Sequence, residues 1–401
     1  MSRQKATGVA PSIPDGERNR RLDRTRTRLE ACGLNGLVVY GSGPTAPDAV
    51  RYLTGHVHVF PRSTSVFVLP VEGAPILLID RSWYRAETRE ATELDDVRTV
   101  PASFHEDRRT LEATLETALA DAGLTDKTVG LLNPSDCPAA FVDALKRAAP
   151  GVDTAAASSL WRDLVGSPTA YDRERIAEAA EIADAGLETV RSACRSGRSE
   201  QAVCFEALER MGELGAEFLH ANAISTHIDI GSYSRGRSNL QPFLYTNTEL
   251  EADEMFWVDL IVCHEGYYID CDRTISIGDP TDEQRAVYDT CRAMYDAMVA
   301  SIEPGVSGRE IWQAGYDVAA EAGYEEYLNA IYLGHTTGPT VSEAPFVERT
   351  ESRSIRSGQF LNVEPGLFVP GVGSACIENT IHVTDAGVEV LNETDLELHV
   401  V

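Results

Sequence analysis

The stretch 255–278, MFWVDLIVCHEGYYIDCDRTISIG, constrains the fold more than any other part of the chain. Two apolar, strand-like runs flank the turn residues His264-Glu265-Gly266, and both runs carry acids. With the turn centred between His264 and Glu265, Asp259 falls opposite Asp270. Like charges facing each other across a ladder repel. Asp259 also stands within the run Phe256-Trp257-Val258 and Leu260-Ile261-Val262, where an acid is ordinarily paired or ligated. Two readings are open: solvated acids on an exposed hairpin face, or carboxylates gathered around a cation. The apolar surroundings favour the cation.

Three later segments repeat the pattern. YLGHTTGP (332–339) sets His335 between Gly334 and Gly338. QFLNVEPGLFV (359–369) sets Glu364 in an apolar run ahead of Pro365-Gly366, and SACIENTIHV (374–383) sets Glu378 ahead of Asn379. Four acids with one histidine form an oxygen-rich set with a single nitrogen. Such a set suits Mn, Fe, Co or Zn, and suits two bridged metals better than one. A structural zinc site would use cysteines instead.

Strands and helices alternate over the first part of the chain. A helix is expected at 17–33, strands at 36–41, 64–70 and 75–80, a helix at 108–123, a strand at 129–133 and a helix at 138–148. That alternation predicts an α/β layer domain over 17–163, behind a frayed arm at 1–16. Ser167-Pro168 marks a boundary, and residues 164–401 form a second domain that opens on a long helix over 164–190. This second part contains an echo. Gly197-Arg198-Ser199 and Gly215-Ala216-Glu217 recur 108 residues later as Gly305-Val306-Ser307 and Gly323-Tyr324-Glu325. A constant offset points to a duplicated half.

The formal net charge is -28, and only three of the 35 basic residues are lysines, Lys5, Lys127 and Lys146. Phosphates would be repelled, which argues against nucleic-acid partners. Acid-rich, lysine-poor chains fit a cytosol of high salt, where at ~1 M the Debye length shrinks to about 3 Å. The eight cysteines are scattered without a CxxC pair, as expected of buried thiols in a reducing compartment. No run approaches the ~20 apolar residues of a membrane span. These features predict a cytoplasmic protein without membrane partners.

The order Asp, Asp, His, Glu, Glu, in the contexts VDL, EGYYIDCDRT, LGHTTG, NVEPGLF and ENTIHVTDAG, resembles the pita-bread metallopeptidase family. That family includes methionine aminopeptidase, aminopeptidase P, prolidase and the metal-free creatinase. VRYLTG and GSPTAYDRERIAEAAEIADAG are similar to the creatinase-type N-terminal domain and the helix that follows it. The resemblance implies an α/β creatinase-like domain followed by an α+β, duplicated pita-bread domain, in a homodimer; the acid-rich, lysine-poor composition adds the expectation of a halophilic member. It also implies two divalent metal ions (Mn, Co, Fe or Zn). Asp259 would chelate one metal, Asp270 and Glu378 would bridge both, and His335 would complete the other. Glu364 would be both ligand and general base for a metal-activated water attacking an amide bond. The implied substrate is a proline-containing dipeptide or an Xaa-Pro N-terminus.

The sequence departs from the family pattern around this set. The two histidines that peptidases of the family carry near the substrate fall here on Gln241 and Ser342, and a prolidase-like arginine falls on Cys376. Asp272, placed across the hairpin from Trp257 where the family has Ser or Thr, would contact a metal or a cationic substrate, or pair with an arginine. His227 lies 108 residues before His335. It reads as a loop residue, a relic of the duplication, or a substitute for the histidine missing at Gln241. His382 shares parity with Glu378 and would lie behind the site or simply pack. These departures leave a second reading open: the same scaffold cleaving a C–N or C–S bond of a small osmolyte-like molecule, as creatinase, ectoine hydrolase and dimethylsulfoniopropionate lyase do. A third is a binding protein that has lost catalysis.

Overall fold

A computed structural model of the chain describes residues 13–42, 47–58, 63–80, 82–100, 108–135, 137–218, 226–232, 248–328 and 332–401. The chain divides between Val165 and Gly166 into two compact units.

In the first unit, six strands form one mixed sheet: β1 (Gly36–Ser42), β2 (Thr64–Pro70), β3 (Ile76–Ile79), β4 (Asp96–Thr99), β5 (Thr128–Leu131) and β6 (Asp153–Ala156). Their spatial order is β4-β3-β2-β1-β5-β6. The helices are α1 (Asp15–Ala31), α2 (Pro47–Thr54), α3 (Arg85–Thr92), α4 (Arg108–Asp121), α5 (Ala139–Ala148) and α6 (Ser158–Val165). Alternate strand residues enter separate cores, because successive side chains leave a strand on opposite faces. Val38, Val66, Val68 and Leu78 pack with Leu111, Leu115 and Phe141 of α4 and α5. Leu37, Val39, Phe67 and Leu69 pack with Leu22, Leu29, Leu53 and Trp161 of α1, α2 and α6. A sheet covered on both faces explains the nearly unbroken apolar runs in β1 and β2. The strand expected at 129–133 stops at Leu131, and Asn133 turns the chain with φ 42°.

The second unit begins with α7 (Ala170–Ala193) and α8 (Glu200–Leu214). The long helix starts later than expected, since α6 runs to Val165 and Thr169 with Asp172 closes a capping box at the start of α7. There follow β7 (His227–Ser232), β8 (Met255–His264), β9 (Tyr267–Ser276), α9 (Asp282–Ala300) and α10 (Gly308–Ala322). The strands β10 (Tyr332–Thr337), β11 (Glu343–Glu348), β12 (Phe360–Val363), β13 (Gly366–Val369), β14 (Gly373–Cys376), β15 (Asn379–Thr384), β16 (Gly387–Val390) and β17 (His399–Val400) complete it. One sheet runs β17-β9-β8-β7 and another β11-β10-β12-β15-β16, with β13 and β14 paired separately.

The echo in the sequence corresponds to two halves of one build. Ser199 caps α8 by accepting from the Ala202 amide, and Gly215 ends that helix in the left-handed region. Ser307 caps α10 by accepting from the Glu310 amide, and Gly323 ends it in the same way. Each helix pair lies on an antiparallel trio, β7-β8-β9 in one half and β10-β12-β15 in the other. Phe256, Val258, Leu260, Tyr267, Ile269 and Cys271 join the core of α7 and α8. Leu333, Leu361, Val363, Ile381 and Val383 join that of α9 and α10. By parity, Asp259, Asp270 and Asp272 leave the first trio on the face away from its helices.

Candidate metal centre

The β8–β9 register differs from the expected one. His264 pairs with Tyr267 around a two-residue turn, so Asp259 lies opposite Asp272, and Asp270 lies opposite Ile261. The reason is local. Glu265 and Gly266 both have positive φ, 48° and 84°, as a type I′ turn demands, so they must be the two central residues. The pairing therefore slides by two residues, which keeps every side chain on its face and changes only its neighbour. Trp257 pairs with Thr274 rather than Asp272 and stacks on Phe368.

The backbone carries the row of acids further. Asp272 and Glu378 exchange both amide-to-carbonyl bonds, at 3.3 and 3.1 Å. They are a hydrogen-bonded antiparallel pair, whose side chains share a face. Asp259, Asp272 and Glu378 thus stand side by side on three adjoining segments. Carboxylate oxygens of Asp259, Asp270, Asp272 and Glu378 all lie within 4.8 Å of one another. Asp270, Glu378 and His335 form a second group within the same limit. Nε2 of His335 is 3.8 Å from Asp270 Oδ2 and 3.7 Å from Glu364 Oε1. The structure thus brings together all five residues singled out as ligands, and adds Asp272.

The chemistry of this group is that of acceptors facing acceptors. His335 Nδ1 is 3.3 Å from the Thr336 carbonyl, which can only accept, so that nitrogen carries the proton. Nε2 then presents a lone pair to the two carboxylates. Burial pushes the His335 pKa down to about 4, so the ring is neutral at pH 7. Burial, and then the neighbouring carboxylates, push Asp270, Asp272, Glu364 and Glu378 well above the usual carboxylate range. Asp259 is raised by burial as well, against hydrogen bonds with Asp270 and Asp272 that hold its charge. Asp259 Oδ1, Asp270 Oδ1, Asp272 Oδ1, Glu364 Oε1 and Glu378 Oε1 are buried without a hydrogen-bond partner. Such atoms are costly unless a cation meets them. Ligands ~2.1 Å from one ion lie at most about 4.2 Å apart, so the 3.7 and 3.8 Å separations fit a shared cation. The residues present fit divalent metal.

The remaining candidates fall differently. Gln241 lies outside the described residues. Ser342 is exposed in the turn between β10 and β11, outside the buried group. His227 is not in a loop: it opens β7, opposite Ile261, within electrostatic reach of Asp259. His382 stacks on Phe360 and meets Glu389 at 3.3 Å, so it belongs to the β15–β16 pairing. Two further side chains neighbour the centre: Tyr332, which had no signal in the sequence pattern, and Cys376, which stands where a prolidase-like arginine would fall. The Tyr332 hydroxyl is held protonated by burial and by Glu364, Glu378, Asp270 and Asp259. The Cys376 thiol donates to the Pro365 carbonyl at 3.4 Å and is pushed up by burial and by the nearby Asp272 carboxylate.

Gly334 holds the histidine strand close to its neighbour. Its φ is +153°, and a Cβ there would stand 2.3 Å from the Asn362 carbonyl oxygen. Gly334→Ala is expected to push β10 from β12 and cost about 1–3 kcal/mol, as overpacking does. Chemical denaturation would show this, with a matching loss of metal affinity because His335 is the next residue.

Residues 174–385 match metallopeptidase family M24, and residues 21–164 match the creatinase/prolidase N-terminal domain. The chain is similar to an Xaa-Pro dipeptidase of Pyrococcus horikoshii, 29% identical over 68% of this chain and 75% of that one. It is also similar to an Xaa-Pro dipeptidase of Lactobacillus helveticus, 30% identical over 41% and 45%. Among solved structures, dipeptidase PepE from Mycobacterium ulcerans superposes with a TM-score of 0.79 at 25% identity, covering 97% of this chain and 99% of that one. An Xaa-Pro dipeptidase from Bacillus anthracis gives 0.79 at 23% identity, covering 96% and 100%, and shows the same fold. An acid-and-histidine group at the join of a duplicated domain, behind an N-terminal domain of this kind, places the chain in metallopeptidase family M24, as a metal-dependent hydrolase.

Proposed function

We propose that this hydrolase cleaves the amide bond of a proline-containing dipeptide or an Xaa-Pro N-terminus, with two divalent cations held by Asp259, Asp270, His335, Glu364 and Glu378. The observation that carries this reading is the set of partnerless carboxylate oxygens facing the lone pair of His335. The peptidase names of the relatives support the substrate class over a small osmolyte. Two cations bound here would lower the pKa of a shared water and polarise the scissile carbonyl. Asp270 and Glu378 belong to both groups of ligand atoms, which suits them to bridge; Asp259 belongs to one group and His335 to the other. Glu364 would take the proton of the attacking water and return it to the leaving nitrogen. The Thr336 carbonyl fixes the histidine tautomer, so that Nε2 needs no rearrangement to bind.

The test is an assay panel on chain stripped by chelator and reloaded with Mn, Co, Fe or Zn singly. Xaa-Pro dipeptides, longer Xaa-Pro peptides and small guanidino, cyclic-amidine and sulfonium compounds are offered in turn. Metal-dependent release of proline or of the N-terminal residue is expected. Turnover of the small compounds alone would overturn the substrate assignment. Absence of both turnover and metal uptake would overturn the enzymatic reading.

A further inference from the structure

We propose that Asp272 is a sixth metal ligand of this centre, binding beside Asp259 and making one of the two cation positions a cage of four carboxylates. The inference rests on the dinuclear reading above and adds to it a residue outside the five-ligand set.

Three observations carry it. The first is position: Asp272 is opposite Asp259 on one side and is the hydrogen-bonded partner of Glu378 on the other. It stands between two ligands in a ladder where like charges repel unless a cation intervenes. The second is the carboxylate itself. Asp272 is 4% exposed, and its Oδ1 has no hydrogen-bond partner. The Cys376 thiol of β14 donates to the Pro365 carbonyl at 3.4 Å, which leaves Oδ1 of Asp272 free. The third concerns the arginine that could have neutralised it. Arg273 is 2% exposed, and its guanidinium donates to the carbonyls of Asp272, Glu378, Thr394 and Asp395 and to Asn379 Oδ1. No ion pair between Asp272 and a basic side chain occurs among the described residues.

The two groups of ligand atoms then read as two unequal positions that share Asp270 and Glu378. One adds Asp259 and Asp272 and is all oxygen. The other adds His335 and, at 3.7 Å from it, Glu364. An all-carboxylate cage favours a hard cation such as Mn²⁺, and the position with imidazole accepts softer ones. Five carboxylates against two dications leave one negative charge in excess. That excess favours a substrate with a free ammonium beside the scissile bond.

The experiment is Mn²⁺ binding to the full chain, followed by calorimetry and by metal analysis after desalting, for wild type, Asp272→Ser, Asp272→Asn and Asp259→Asn. Wild type is expected to hold two Mn²⁺ per chain. Asp272→Ser should weaken one of the two steps by at least ~10-fold and leave the other, with Asp272→Asn in between. Melting in chelator controls for folding: the metal-free Ser variant should be no less stable than wild type, since a repelling carboxylate is gone. If the Ser variant folds poorly, the isosteric Asn variant decides. A Ser or Asn isotherm that superimposes on wild type, while Asp259→Asn loses a step, overturns this inference alone. A wild type that binds fewer than two Mn²⁺ overturns the dinuclear reading itself, and an Asp259→Asn isotherm that also superimposes on wild type overturns the ligand set on which this inference rests.

Discussion

Glu364→Gln is expected to lower kcat by ~10²–10⁴-fold at saturating metal, with a much smaller change in KM. The side chain follows β12, whose end is fixed by the bond from the Glu364 amide to the Leu333 carbonyl, 3.0 Å. It is 15% exposed, against 7% for Asp270, the more open of the two carboxylates that meet His335 and so the one a water can reach. Gln keeps the volume and one acceptor oxygen but cannot take a proton. The variant also loses a charged ligand, so Mn²⁺ must be titrated to saturation before rates are compared. Removing one acid from a group that repels itself should leave the metal-free fold as stable as before, which separates lost chemistry from lost structure. A Glu364→Gln enzyme within tenfold of wild type at saturating Mn²⁺ would remove Glu364 from the proton-transfer role.

The candidate ligands were legible in the sequence because a strand reports burial through its neighbours. Asp259 between Val258 and Leu260, or Glu378 after Ile377, is an acid that the fold has enclosed, and enclosed acids need a partner. The duplication was legible through Ser199 and Ser307 as helix caps and Gly215 and Gly323 as helix ends, since those residue types follow from local backbone geometry. What was not legible depended on register and on distant pairing. A slide of two residues in β8–β9 preserves the face of every residue, so periodicity cannot detect it; only the paired left-handed conformations at Glu265 and Gly266 fix the turn. The pairing of Asp272 with Glu378 joins segments 106 residues apart in chain order, and no local pattern announces it. That pairing is what turns Asp272 from a hairpin acid into a neighbour of the centre.

Stripping the metal is expected to destabilise the second unit strongly, and more so as pH rises from 6.5 to 8. A ligand that binds only the folded state stabilises by about 2.7 kcal/mol at 100-fold excess over its Kd, so two sites supply about 5 kcal/mol, or roughly 10–20 °C in Tm. The pH dependence follows from the direction of each shift. Asp270, Asp272, Glu364 and Glu378 are pushed up in the folded, metal-free chain. Above the unfolded carboxylate range, ~4, the folded state therefore holds protons that the unfolded state has released, and stability falls as pH rises. His335 acts in the opposite sense: with a folded pKa of about 4 against 6.5 unfolded, its contribution rises with pH and is complete above 6.5. The buried thiols, also pushed up, begin to act near their ordinary range of ~8.5 whether or not metal is present. Above the unfolded carboxylate range the carboxylates of the centre are thus the groups whose protons the metal replaces. Melting curves of stripped and Mn²⁺-loaded chain from pH 6.5 to 8 should diverge, the stripped Tm falling with pH and the loaded Tm holding. Curves that coincide would mean that these acids meet no cation. Curves that converge as pH rises would mean that metal binding releases no protons from them, and that the charge they carry is balanced by something other than metal.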